Sequence, residues 1–99
     1  LWKEVKGKKP HPEAYGMSGA ESVVRANDAS PKWGEATGQY YAQFKSSGAT
    51  YKIWLEEETS LKKKLEVVKK NKTAGVAFWK LGFERAVTWT TIADAVRGW

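Results

Sequence analysis

Cysteine is absent from the 99 residues of this chain, and histidine occurs only once, at His11. Disulfide bonds, catalytic thiols and cysteine-ligated metal sites are therefore excluded, and a zinc site with two histidine ligands would need a second chain. No apolar run approaches the ~20 residues that span a bilayer, and the first 16 residues lack the apolar core of a signal peptide. Glycine-rich phosphate loops and metal-ligand clusters are missing as well, so we expect neither a cofactor nor a bound metal.

Aromatic residues and positive charge are what the chain does contain. It has six Trp, four Tyr and three Phe, and its 17 Lys and Arg exceed its 11 Asp and Glu to give a net charge of +6. This excess permits an anionic partner such as nucleic acid, teichoic acid or a membrane surface, without requiring one. The length fits one domain. Because the chain begins at Leu1 without a methionine, we expect a piece of a longer protein.

The first 38 residues predict an irregular arm followed by a short helix over 17–27. Ser18 is the expected N-cap of this helix, with Glu21 completing a capping box. His11 lies between two prolines without an acidic neighbour, which favours a solvated loop histidine over a catalytic or pH-sensing one. The segment between this helix and residue 39 is typical of turns.

Residues 39–55 alternate between apolar and polar side chains and predict a β-hairpin whose loop is Ser46-Ser47-Gly48. Tyr41 and Trp54 fall on its less buried face. Aromatic side chains there can form a stacking platform for sugars or bases, but cross-strand packing is the favoured explanation.

Residues 57–71 predict a helix capped by Thr59 or Ser60, whose buried stripe is Leu61, Leu65 and Val68. Glu56, Glu57 and Glu58 lie at the positive end of its dipole, which favours a capping role over paired acid/base catalysis. The lysines at 62–64 lie mostly opposite the stripe and indicate a solvated face rather than a nucleic-acid interface. The residues themselves therefore predict no self-sufficient active site.

Residues 74–79, AGVAFW, form a continuous apolar run between two helices and predict a strand covered on both faces, as in parallel α/β sheets. The loop that follows, 80–87, is where such folds carry their chemistry. The last predicted helix covers 88–97, with Thr88 as N-cap and a buried stripe of Trp89, Ile92, Ala93 and Val96.

The segment from Tyr51 to Glu84 carries an ordered set of short motifs. They are Trp54-Leu55-Glu56-Glu57, Ser60 with Lys64, Gly75-Val76-Ala77-Phe78-Trp79, and Leu81-Gly82 with Glu84. In this order the segment resembles the C-terminal end of family-18 glycoside hydrolases, and most of all the bacterial chitinase-like branch that includes spore cortex-lytic and cell-wall N-acetylglucosaminidases. Leu55 and Glu57 depart from the aromatic residue and Asp usual in the family. The resemblance is weaker over 34–45 and nearly absent before that.

The resemblance implies an α/β fold, the C-terminal part of a (β/α)8 TIM barrel. Residues 74–79 correspond to the eighth strand, the flanking helices to the seventh and eighth helices, and the hairpin to an insertion before the seventh helix. As an isolated chain we expect a small α+β unit in which the hairpin pairs with 74–79, or self-association that buries this strand. Trp79 takes the place of the tryptophan that forms the floor under the bound sugar, with Glu84 as the second substrate-binding residue. A core aromatic at a strand end is the alternative for Trp79.

The catalytic acid of the family has no counterpart in this sequence. That acid ends an Asp-rich motif, whereas the only Asp residues here are Asp28 and Asp94. We therefore expect no catalytic residue in this chain, which would be an inactive fragment of an extracellular, cell-wall or spore-associated hydrolase acting on chitin or peptidoglycan. The expected partners are an N-acetylglucosamine-containing glycan and the rest of the barrel or a second copy. The alternatives are a basic binding module for nucleic acid or another polyanion, and a lectin-like remnant.

Overall fold

The structure, a computed structural model, describes residues 1–99 and has an α+β fold. Five strands form one antiparallel sheet in the order β2-β1-β5-β4-β3. The strands are β1 (Trp2–Glu4), β2 (His11–Pro12), β3 (Lys32–Gly34), β4 (Gln39–Ser46) and β5 (Ala49–Leu55). The helices are α1 (Met17–Ala26), α2 (Glu58–Lys70) and α3 (Ala86–Val96). No helix has the length and apolar character needed to cross a membrane.

The predicted hairpin over 39–55 is confirmed by β4 and β5. Ala42 pairs with Ile53 at its centre. Ser47 and Gly48 form the turn with φ values of 51° and 75°. Positive φ at both central residues is what two-residue hairpin turns require, because their twist then matches that of the strands. The alternation along this hairpin decides which side chains reach the core.

The predicted helix over 17–27 is confirmed by α1, which covers one face of the sheet. Ala20 and Val24 of this helix pack with Ala42, Ile53 and Leu55, and Ile53 is only 1% exposed. The predicted capping box is wrong. Gly16 is the N-cap and makes no side-chain cap, and the Glu21 carboxylate instead forms an ion pair with an arginine of a distant segment.

The predicted helix over 57–71 is confirmed by α2. Leu61 and Leu65 of the predicted stripe are buried. The cap differs by a few residues from the prediction, because Glu57 is the N-cap and forms a reciprocal capping box with Ser60. The capping role expected for these glutamates thus belongs to Glu57, whose carboxylate accepts from the backbone N–H groups of Thr59 and Ser60.

The first 38 residues contain more regular structure than predicted. Trp2 and Lys3 pair with Lys52 and Tyr51 of β5, and His11 pairs with Lys3. A third short strand, β3, lies within the predicted turn segment and pairs with β4. β1 and β3 form because the edges of the central hairpin present unpaired backbone groups, and β2 then pairs with the outer edge of β1. His11 remains exposed, as expected for a solvated side chain, but it belongs to a strand.

The predicted strand over 74–79 is not formed. All six residues are exposed and pair with no strand. The expected sheet between this segment and the hairpin is also wrong, because β1 and β3 occupy both edges of the hairpin. A strand needs hydrogen-bonding partners along its edges, and the sheet offers none next to this segment.

The last helix begins at Ala86 rather than Thr88, and its buried residues are Thr88 and Thr91 rather than the predicted stripe. Trp89, expected in the core, is 46% exposed. Arg85 is the N-cap residue, and its side chain is held by acidic groups of α1 and α2. The threonine face of α3 packs inward, and the Thr88 hydroxyl donates a 3.2 Å hydrogen bond to Met17 Sδ of α1.

Candidate functional site

A groove of about 430 Å³ lies where one end of the sheet meets α2, α3 and the segment over 76–84. Fifteen of its 21 lining residues are hydrophobic. Leu61, Leu65 and Val68 of α2 form one wall, and Gln39, Trp54 and Glu56 close the sheet end. Aromatic walls with a few polar groups are typical of small-molecule and sugar sites, because such walls bury the apolar faces of the ligand.

Both residues predicted from the resemblance line this groove. The Trp79 indole is 92% exposed, the most exposed of the large hydrophobic side chains. Glu84 lies in the same lining, five residues further along the chain. The predicted alternative for Trp79, a core aromatic at a strand end, does not fit this exposure. An open indole face beside a groove leaves its apolar surface free for a ligand.

The carboxylate of Glu84 is held in its ionised form. Hydrogen bonds from the backbone N–H groups of Glu84 itself and of Gly82 lower its pKa below the ordinary 4.5, with a smaller contribution from the Trp89 indole. The Gly82 N–H donates to Glu84 Oε2 over 2.7 Å. A carboxyl group that loses its proton this readily accepts hydrogen bonds well and is a poor proton donor near neutral pH.

The loop that carries Glu84 is tied to the rest of the chain on both sides. The Met17 N–H donates a 2.7 Å hydrogen bond to the Phe83 carbonyl oxygen, which joins the loop to the first turn of α1. Arg85 then forms ion pairs with Glu21 of α1 and Glu58 of α2. A hydrogen bond and two ion pairs thus fix the position of the loop against the three helices, and with it the position of Glu84 in the groove.

A polar cluster forms around Glu56 at the sheet end of the groove. Its carboxylate accepts hydrogen bonds from Ser60 Oγ at 2.5 Å and from Gln39 Nε2 at 3.2 Å, and forms an ion pair with Lys64. Three donors thus converge on the Glu56 carboxylate and fix its position. The sequence predicted Ser60 as a candidate cap and Lys64 as part of a solvated face, and the structure shows that both also hold Glu56.

Trp89 and Phe78 line the groove. The sequence predicted Trp89 in the core and Phe78 within a strand covered on both faces. They are 46% and 42% exposed. No residue pattern distinguished these positions from core positions, since an apolar residue at helical or strand spacing looks the same in both. Trp54 was expected on the less buried face and is 38% exposed there. It packs on Tyr41 with ring centroids 4.9 Å apart, so the favoured packing interpretation is confirmed for one side of this indole.

No protein-family model matches the chain, and no curated protein matches it either. Two solved structures do. The chain superimposes on a chitinase from Chromobacterium violaceum with a TM-score of 0.79 at 15% sequence identity, covering 95% of this chain and 29% of that one. It superimposes on the C-terminal domain of a candidate chitinase from Desulfitobacterium hafniense with a TM-score of 0.77 at 20% identity, covering 95% and 30%.

The chain therefore shares the fold of part of a chitinase chain. It spans about 30% of the length of the two solved chains that it matches. The shared fold covers nearly the whole chain, including the first 38 residues, in which the sequence resemblance is nearly absent. The coarse expectation of an α+β unit similar to part of a chitinase is thus confirmed.

Proposed function

We propose that this chain is the C-terminal part of a family-18 glycoside hydrolase of the chitinase-like branch that includes spore cortex-lytic enzymes. In the whole protein, residues 74–79 would form the eighth strand of a (β/α)8 barrel, supplied with partners by the other strands. The substrate would be an N-acetylglucosamine-containing polysaccharide, chitin or peptidoglycan, in an extracellular, cell-wall or spore setting. The shared fold and the exposed Trp79 beside an apolar groove support this proposal.

Trp79 is the sugar-stacking residue in this proposal, and its exposure carries the argument. An indole face buries the apolar face of a pyranose ring, while the ring hydroxyls remain free to bond with polar neighbours. Glu84 lies in the same groove as an ionised carboxylate and accepts hydrogen bonds from such hydroxyls. The two residues therefore supply the apolar and the polar half of sugar recognition.

Glu84 does not supply the proton that glycosidic cleavage needs. The general acid of a glycosidase has a raised pKa so that it is protonated when the bond breaks, whereas the pKa of Glu84 is lowered. Glu56, the other groove carboxylate, is occupied by Ser60, Gln39 and Lys64. We infer that the chain binds the glycan without hydrolysing it, and that the acid belongs to another part of the whole protein.

Binding of an N-acetylglucosamine hexamer, followed by calorimetry, tests the proposal on this chain. We expect Trp79→Ala to weaken binding about tenfold or more, equivalent to the loss of about 1.4 kcal/mol of stacking energy. Trp2→Ala is the matched control, because Trp2 is 42% exposed but does not line the groove. Equal affinity of wild type and Trp79→Ala, or an equal loss in both variants, would refute the role of Trp79.

The alternative predicted from composition, a basic module for nucleic acid, is tested by a titration of the same chain with an oligonucleotide. Affinity for the oligonucleotide that falls steeply with salt, with no binding of the sugar hexamer, would support the alternative. Binding of the hexamer that is insensitive to salt supports the glycan proposal, because the hexamer carries no net charge and salt screens mainly the attraction between charged partners.

A further inference from the structure

A cluster of lysines, here called the basic tip, lies at the end of the sheet opposite the groove. It consists of Lys6, Lys8 and Lys9 in the loop between β1 and β2, and Lys45 beside the turn between β4 and β5. All four are exposed. None forms an ion pair, since the five salt bridges of the chain involve other cations.

The sheet topology brings these two loops together. Glu4 at the end of β1 lies opposite Thr50, and Ser46 lies opposite Ala49, so the loops that follow β1 and β4 leave the sheet at the same end. Leu55 ends β5 next to the groove. A seven-residue strand at about 3.4 Å per residue places the basic tip roughly 20 Å from the groove.

The carboxylate nearest to the basic tip along β1 is already neutralised. Glu4 pairs with Lys52, whose ammonium lies 3.0 Å from Glu4 Oε2. This pair raises the pKa of Lys52, and it leaves the Glu4 carboxylate engaged rather than free to neutralise the lysines of the neighbouring loop. The positive charge at this end of the sheet is therefore open to a ligand.

The lysines of α2 differ, because their helix accounts for them. Glu66 lies one helical turn from Lys62 and from Lys70, a spacing that stabilises helices by opposite charge. Lys69 and Lys70 also occupy the last turn of α2, where cations complement the helix dipole. The basic tip lies in the loop between β1 and β2 and at the end of β4, where there is neither a helix dipole nor a turn-spaced acid, so its charge has no local structural explanation.

We propose that the basic tip binds an acidic polysaccharide through its carboxylate groups. Several flexible ammonium groups suit a polymer with repeated negative charge, because each binds one anion without a rigid geometry. The tip residues include no aromatic ring on which unpaired bases would stack, which disfavours a single-stranded nucleic acid. The choice of a glycan rests on the proposed function. Of the two proposed substrates only peptidoglycan carries carboxylates, and a peptidoglycan chain lying along the sheet would reach both the tip and the groove.

Polygalacturonate and its methyl ester test this proposal, because they share one backbone and differ in charge. We expect wild-type chain to bind polygalacturonate, to lose affinity as salt rises, and not to bind the ester. The triple variant Lys6→Gln, Lys8→Gln, Lys9→Gln should lose about tenfold in affinity, as the sum of three modest ion pairs. The matched control Lys62→Gln, Lys63→Gln, Lys70→Gln removes the same charge from α2 and should lose less than about twofold.

Three outcomes would overturn the proposal: an equal loss in both triple variants, equal binding of polygalacturonate and its ester, or an oligonucleotide bound more tightly through the same three lysines. The N-acetylglucosamine hexamer separates this proposal from that of the groove. If polygalacturonate binds through the basic tip and the hexamer does not bind at all, the groove proposal fails and the tip assignment stands. If Trp79→Ala weakens hexamer binding while the tip variant leaves it unchanged, the two sites are independent.

Discussion

Arg85 Nη2 lies 2.8 Å from Glu58 Oε1 and 2.7 Å from Glu58 Oε2, so one nitrogen of the N-cap residue of α3 bonds both oxygens of the first residue of α2. The other terminal nitrogen, Nη1, bonds Glu21 of α1. One guanidinium therefore joins all three helices at the end of the loop that carries Glu84, here called the groove loop. Its side chain is only 24% exposed, so solvent screens these pairs less than it screens pairs on the open surface.

We expect Arg85→Ala to lower the free energy of unfolding by about 2 kcal/mol, because it leaves two carboxylates partly buried without a partner. Arg97→Ala is the control, since its pair with Asp94 is 78% and 60% exposed, and it should cost less than about 0.5 kcal/mol. Urea denaturation of both variants measures the difference. Equal effects would show that the link between the three helices adds nothing to an ordinary surface ion pair.

The ionised state of Glu84 predicts a pH dependence of a definite sign. Because its pKa in the folded chain is lowered from 4.5, Glu84 stabilises the fold above about pH 4.5, and this contribution is lost as the pH falls through the folded-state pKa. The difference in unfolding free energy between wild type and Glu84→Gln should be constant between about pH 5 and 7 and shrink below about pH 4.

Denaturation at several pH values, together with an NMR titration of the Glu84 carboxyl carbon, measures this. A titration midpoint at or above 4.5 would contradict the hydrogen-bonded geometry of the Gly82–Glu84 turn. It would also contradict the argument that Glu84 is not the proton donor.

Gly16 allows the close approach between α1 and the groove loop. A Cβ atom at this position would lie 3.2 Å from the Phe83 carbonyl oxygen and 3.3 Å from its Cα. Both are backbone atoms of a loop that is held on two sides, so we expect Gly16→Ala to destabilise the chain by about 1 kcal/mol and to displace the loop.

Gly75→Ala provides the matched comparison, because nothing lies within 4 Å of the added methyl group. We expect this variant to be neutral or slightly stabilising, since alanine reduces the freedom of the unfolded chain. Thermal unfolding of both variants measures the contrast. If Gly16→Ala leaves the unfolding temperature unchanged, the Phe83 backbone moves away from α1 without a loss of stability, and the prediction is wrong.

The open apolar surface of residues 76–81 predicts self-association of the isolated chain. Phe78, Trp79 and Leu81 are 42%, 92% and 75% exposed, and contiguous apolar surface of this kind marks sites that a partner covers. In sedimentation velocity, we expect a dimer or larger species that Leu81→Ser dissociates. Val67→Ser, at a 60% exposed position of α2 outside the groove, should leave association unchanged. A monodisperse monomer at high concentration contradicts the prediction.

The central hairpin and α2 were predictable because their signals are local. Alternation across Tyr40–Leu55 and the spacing of Leu61 and Leu65 each identify one periodicity, and each of these elements satisfies most of its own hydrogen bonds. The short strands β1, β2 and β3 were missed because nothing in their own residues distinguishes them from loops. They are strands because β1 and β3 pair with the two edges of the hairpin, and β2 pairs with the free edge of β1.

What the sequence determined by itself was the set of strong local elements and the absence of cysteine. Trp79 and Glu84 came from the family resemblance, and their role in binding a sugar stays a prediction. The tertiary structure decided that residues 74–79 form no strand, because their apolar run specifies a strand only where neighbouring strands supply hydrogen bonds. It also decided that Trp89 faces the groove, since Thr88 and Thr91 take the buried face of α3. Periodicity reports which side chains share a face, whereas only packing decides whether that face meets a core or a ligand.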